Sequence, residues 1–152
     1  MFIKSIKIRK PKALGIAMIA MVICIAALLV VFACRVSKQE IYDLGSETKR
    51  QAFLKEMGWE VSDEYDECRA VTIPEKWNEV YTNYNKLQKE QGFDLTAYKG
   101  KDIEVYTYKI KNYPEHEGEE GIICNLMVFD GKLIGGDVCS TALDGFMQGI
   151  KK

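Results

Sequence analysis

The pattern of apolar and polar positions changes character along the chain. Residues 13 to 33 form one apolar run with no charged, Asn or Gln side chain, and its apolar residues occupy every side rather than one stripe. At about 1.5 Å per residue, such a helix spans ~31 Å, close to the ~30 Å hydrocarbon core of a bilayer. The run predicts a transmembrane helix over 13–34. Residues 35–45 are polar and mixed in charge and read as a linker. From residue 46 to 152 the period alternates between helix and strand.

Ser46 followed by Glu47 predicts a helix start, with Ala52, Phe53, Leu54 and Met57 as its apolar stripe and Gly58 as its stop. Trp59 and Val61 flank Glu60 in a strand pattern, which the acidic stretch 62–67 interrupts as a bulge or turn. The strand resumes with Arg69, Val71 and Ile73 alternating against Cys68, Ala70 and Thr72. Pro74 suits the first position of a second helix, whose apolar face would hold Trp77, Val80, Tyr81, Tyr84 and Leu87, with Gly92 ending it. Phe93 to Tyr98 reads as a compact turn or single helical turn. A strand follows from about Asp102 to Lys111, broken by Asn112-Tyr113-Pro114.

Asp130-Gly131 between two apolar runs predicts a tight hairpin. The simple register sets Phe129 opposite Lys132 and Cys124 opposite Asp137, which leaves Cys124 and Cys139 on one face, diagonal to each other. A bulge at Gly135-Gly136 would change that pairing. Leu143, Phe146, Met147 and Ile150 recur at helical spacing, weakened by Gly145 and Gly149, and this tail is expected to cap the sheet edge or core. The expected fold is α+β: two helices packed on a mostly antiparallel sheet of about four strands, preceded by the transmembrane helix.

Charge fixes the expected orientation. Lys4, Lys7, Arg9, Lys10 and Lys12 give residues 1–12 five positive charges and no acid, while the remainder holds 16 Lys/Arg against 22 Asp/Glu. Basic flanks stay cytoplasmic, so the chain is expected in the cell membrane as a single-pass protein, N-terminus inside and residues 46–152 outside. An acidic domain without a basic stripe predicts no nucleic-acid partner. Val31–Cys34 resembles a bacterial lipobox, in which Cys34 would carry a lipid; the alternative is that Cys34 ends the apolar helix.

Among the cysteines, Cys68, Cys124 and Cys139 lie in the exterior region, an odd number with no CxxC spacing. One disulfide with one free thiol, and three free thiols, both fit. His116 sits in an acidic loop that offers a general base no fixed partner. Glu115, Glu117, Glu119 and Glu120 lack the ligand spacing of a calcium loop, and no metal or cofactor is expected. Asp137, Cys139, Ser140 and Asp144 converge near the exit of the last strand and form the candidate ligand rim. Acidic neighbours there oppose a reactive thiolate. Tyr81, Tyr84, Tyr106, Tyr108 and Tyr113 offer either an aromatic platform or core filling.

Gly58–Val61, Thr72–Pro74, Tyr84–Leu95, Tyr98–Lys101, Tyr106–Tyr108, Asn112–Pro114 and the stretch from Gly135 to Met147 together carry a resemblance. The chain resembles the domain of unknown function 4830 family, short membrane-anchored proteins of Gram-positive bacteria. The resemblance implies location and a shared fold, and brings no catalytic residue, ligand or partner. The expected function is a non-catalytic interaction or sensing module at the cell envelope, contacting the bilayer through 13–34 and an envelope protein or wall component through its exterior domain. An envelope enzyme, or a ligand-binding lipoprotein, using the region around Asp137 and Cys139 is the alternative.

Overall fold

A computed structural model describes residues 21–25, 41–115 and 121–151. The chain divides into two units, Met1–Gln39 and Glu40–Lys152. In the first, residues 21–25 are helical and exposed; the rest of the expected span over 13–34, Cys34 included, lies outside the described residues, as does His116. Among the described residues no helix is long and apolar enough to cross a membrane.

The second unit is α+β. It contains α1 (Glu47–Glu56), β1 (Glu67–Thr72), α2 (Glu79–Glu90), a 3-10 turn (Leu95–Tyr98), β2 (Asp102–Lys109), β3 (Ile122–Phe129), β4 (Lys132–Ser140) and β5 (Met147–Gln148). The five strands run in sequence order with every neighbour antiparallel. The sheet thus has five strands rather than about four.

Both helices are bounded as their sequences require. The Ser46 hydroxyl accepts the Lys49 N–H at 3.4 Å, satisfying one of the orphan amides at the start of α1. At the other end Gly58 takes φ 86°, its N–H bonds Lys55 O, and the Trp59 N–H bonds Leu54 O at 2.9 Å. This left-handed stop recurs after α2, where Gly92 has φ 90° and the Phe93 N–H bonds Gln88 O at 2.9 Å.

α2 starts later than Pro74. Ile73 is still held in the sheet, donating its N–H to Lys101 O, so the chain stays extended through the proline. The next side chain able to cap is Asn78, which accepts the Tyr81 N–H at 3.0 Å. Trp59–Val61 is likewise no strand, contributing one bridge from Val61 to Ile110. Asp66 ends the interruption: its N–H bonds Thr107 O while its carboxylate accepts the Lys109 N–H. The tail is not helical either. A turn across residues 141–145 leads into β5, and the Ser140 N–H bonds Phe146 O at 3.0 Å, so the segment covers the edge of β4 as expected, but as a strand.

The hairpin turn at Asp130-Gly131 forms with positive φ at both residues, and Phe129 faces Lys132. A shift between Met127 and Val128 then leaves Ile134 unpaired and moves the rest of β4 by one residue. Cys124 therefore faces Val138, and Cys139 faces Ile123. Side chains alternate across a strand, so the two cysteines lie on opposite faces of the sheet, and both are free thiols.

Each face of the sheet has its own core. On one, Tyr108, Cys124, Leu126, Val128 and Val138 pack with Phe53 and Leu54 of α1 and with Trp59. On the other, Ile103, Val105 and Ile134 pack with Leu95, Trp77 and Tyr84 under α2.

Candidate functional site

The expected rim separates. Asp137 is buried in β4 on the α2 face, with Cys139 two residues along the same face. Ser140 projects to the other side, and its hydroxyl accepts the Ala142 N–H at 3.2 Å, a turn cap. Asp144 is exposed in that turn. What joins Asp137 and Cys139 comes instead from α2 and the neighbouring strands.

Thr107, Asn125 and Asp137 stand directly opposite one another across β2, β3 and β4. The Thr107 hydroxyl donates to Asn125 Oδ1 at 2.8 Å, and Asn125 Nδ2 donates to Asp137 Oδ2 at 3.1 Å. Tyr84 of α2 reaches down and donates its hydroxyl to Asp137 Oδ1 at 2.6 Å. Asn125 Nδ2 also lies 3.8 Å from Cys139 Sγ. Burial, then the negative charge of Asp137, push the Tyr84 phenol well above its ordinary range. The same two causes push the Cys139 thiol up to about 12 and the Cys124 thiol well above 9. A thiol so raised stays protonated at neutral pH and is a poor nucleophile. The row satisfies Asp137 with neutral donors and ties α2 to the sheet.

A second polar group does the same for α1. Arg50 is buried on the sheet side of its helix, donating to Tyr108 Oη at 3.0 Å, to Leu44 O at 2.9 Å and to Glu47 at 3.0 Å. Its guanidinium carbon lies 3.8 Å from the centroid of the Tyr106 ring. Burial and a bond to Glu104 raise the Tyr106 phenol to about 12. The tyrosines therefore form no common platform: Tyr84 serves one face, Tyr106 and Tyr108 the other. Among the described residues no group of three His, Cys, Asp or Glu is placed to hold a metal ion.

A pocket of about 490 Å³ opens elsewhere, lined by Trp59, Tyr113, Pro114, Glu115, Gln148 and Lys151. Its wall is a ring stack. Trp59 and Tyr113 are parallel within 1° at 6.0 Å between centroids, and Tyr113 meets Phe146 at 4.7 Å. Trp59 Nε1 donates to Ile150 O at 2.6 Å, and the Tyr113 hydroxyl donates to Gln148 Oε1 at 3.1 Å, so both rings are held in place. An apolar wall with one acid, one amide and one base at its rim can hold a small polar group or a side chain without chemistry. These residues come from three distant stretches of chain. Tyr113 stands out in the sequence as an aromatic beside Pro114, but nothing local signals that Trp59, Gln148 and Lys151 join it.

The family described as Domain of unknown function (DUF4830) matches residues 53–138. The chain belongs to that family. The matched stretch runs from Phe53 in α1 to Val138 in β4, and so holds Tyr84, Thr107, Asn125 and Asp137, while Gln148 and Lys151 lie past it. No curated protein and no solved structure matches the chain.

Proposed function

We propose that the protein is a membrane-anchored module whose second unit stands outside the cytoplasmic membrane and recognises another envelope component without catalysing a reaction. Support for the anchor comes from the uncharged run over 13–33 and the five positive charges that precede it. The observation that carries the non-catalytic reading is how the reactive groups are used. Asp137, Tyr84 and Cys139 are spent on one another beneath α2, and the thiol is held protonated. The surface we assign to contact is the pocket beside Trp59 and Tyr113, whose mixed lining suits an envelope protein side chain or a wall component.

Two measurements test this. A reporter active only outside the membrane, fused after Lys152, should be active, and an impermeant maleimide should label Cys68 on intact cells. Activity of the complementary cytosolic reporter alone would sink the anchor. Crosslinked envelopes should then yield a component held by the native chain and lost with Lys151→Glu; equal recovery with both chains would remove the pocket from the reading.

A further inference from the structure

The pocket beside Trp59 and Tyr113 is fastened at each stretch of chain that lines it. The Asn112 side chain accepts the Glu60 N–H at 2.9 Å and donates to Gly58 O at 2.9 Å, which ties the approach to Tyr113 to the turn that carries Trp59. Ile150 is held from two sides, its oxygen by Trp59 Nε1 and its N–H by Gln91 Oε1, and this fixes the backbone just before Lys151. Gln148 is paired with Val138 in the sheet. Walls held in this way lose little freedom when a ligand arrives.

The polar groups of the lining divide by hydrogen-bonding sense. The Tyr113 hydroxyl donates to Gln148 Oε1, so that oxygen is engaged and the amide keeps its Nε2 N–H groups, which have no acceptor among the described residues. Lys151 adds a charged donor, and Glu115 is the one pure acceptor of the lining. Tyr113 and Pro114 supply apolar surface beside them. Two donors, one of them cationic, call for a carboxylate; the single carboxylate calls for an ammonium. A neutral sugar ring offers neither charged group a counterion. We propose, on the reading that this pocket is the contact surface, that it binds a short aliphatic peptide with free ends. Its carboxylate lies on Lys151 and Gln148 Nε2, its ammonium on Glu115, and an aliphatic side chain against Tyr113 and Pro114. The volume of about 490 Å³ lies within the range of small-ligand sites.

The test uses the full chain in detergent with Trp77→Phe, which leaves Trp59 as the sole tryptophan. Alanyl-alanine should change its emission saturably, with a dissociation constant on the order of 1 mM. Amidating the peptide's carboxylate should weaken binding about tenfold, and so should Lys151→Gln, the worth of one charged hydrogen bond. Acetylating its amine and Glu115→Gln should each do the same. The amidated peptide should bind Lys151→Gln as well as it binds the parent chain, because the pair it would lose is already gone. N-acetylglucosamine at the same concentrations should leave the emission unchanged. Absence of a saturable change with alanyl-alanine at tens of millimolar, or equal affinity for the free, amidated and acetylated peptides, would overturn this ligand class and leave the pocket's part in envelope crosslinking standing. Peptide binding that persists while Lys151→Glu leaves crosslinking intact would keep the peptide site and sink the contact reading instead.

Discussion

Gln88 pairs with Gly136 as a strand would. Its Oε1 accepts the Gly136 N–H at 2.8 Å and its Nε2 donates to Gly136 O at 3.0 Å, while Gln91 Nε2 reaches the same oxygen at 3.0 Å and Gln91 Oε1 accepts the Ile150 N–H at 2.6 Å. The end of α2 thereby fills the gap in the β4 edge between residues 42–44, where Leu133 donates its N–H to Tyr42 O and Leu44 donates to Gly131 O, and β5, which pairs at Val138 and Cys139. Gln88→Leu keeps the volume and strands a buried backbone N–H. The expected loss is about 1–3 kcal/mol, the desolvation cost of an unpaired donor. Chemical denaturation of the full chain in detergent, followed by far-ultraviolet circular dichroism, measures it; an unchanged midpoint would refute this role.

Tyr84→Phe tests the other anchor of α2. The substitution removes the hydroxyl that donates to Asp137 Oδ1 and leaves that buried oxygen without its donor from the helix. A cost of about 1–3 kcal/mol is expected. Pairing it with Asp137→Ala separates anchor from bystander: the two losses should fall short of additive, because both remove the same bond.

Two glycine substitutions should cost stability for different reasons. A Cβ on Gly92 would meet no atom within 4 Å, so Gly92→Ala pays only for a left-handed backbone, about 1 kcal/mol, and Gly92→Asn less. At Gly136 the Cβ would run into Asn125 O and the Ile150 side chain. Gly136→Ala should therefore cost more, about 1–3 kcal/mol or above, and should disturb β5 as well. Equal losses at the two positions would contradict this account.

Stability should fall on the alkaline side. Burial first, then the Asp137 charge, raise the folded-state values of Cys124 and Tyr84, and Cys139 rises to about 12 by the same causes. Above pH 9 the unfolded thiols give up protons that the folded ones keep, and above pH 10 the unfolded phenols follow. The folded state then binds more protons, so stability present below those values is lost as pH rises. Each fully buried group contributes up to about 1.4 kcal/mol per pH unit. Cys124→Ala should flatten the decline above pH 9, read from denaturation midpoints at pH 8, 9, 10 and 11.

Thiol labelling should rank the exterior cysteines. At neutral pH a maleimide should modify Cys68 first, Cys139 slowly because it is half-buried and held protonated, and Cys124 only on unfolding. Peptide mass spectrometry over time gives the order, and early modification of Cys139 would contradict the protonated thiol.

Much of this fold can be read from contiguous residues. Ser46, Gly58, Gly92 and Asp130-Gly131 act where they stand, because caps and tight turns need one side chain or one backbone conformation within four residues. Ile103, Val105 and Thr107 alternate with Tyr106, Tyr108 and Ile110 for the same reason: strand period is local. The uncharged run at 13–33, the acidic remainder and the family likeness are equally properties of the bare chain. Where local cues compete with distant ones, they mislead. Pro74 looks like a helix start only to a reader who does not know that Ile73 is still bonded to Lys101.

The face of α2 went the same way. Amphipathic spacing points to Trp77, Val80, Tyr81, Tyr84 and Leu87, yet Asn85 and Gln88 are the buried residues of the helix and Val80 is 72% exposed. An amide is buried when distant backbone groups need it, and Gly136 lies 48 residues from Gln88. The unpaired Ile134, which sends Cys124 and Cys139 to opposite faces, depends on how two strands settle against their neighbours. So does the meeting of Trp59 with Tyr113 and Lys151 at one pocket. Residue type and near-neighbour spacing settle what each segment can become; which polar atoms must find one another is settled when burial removes the water that would otherwise have served them.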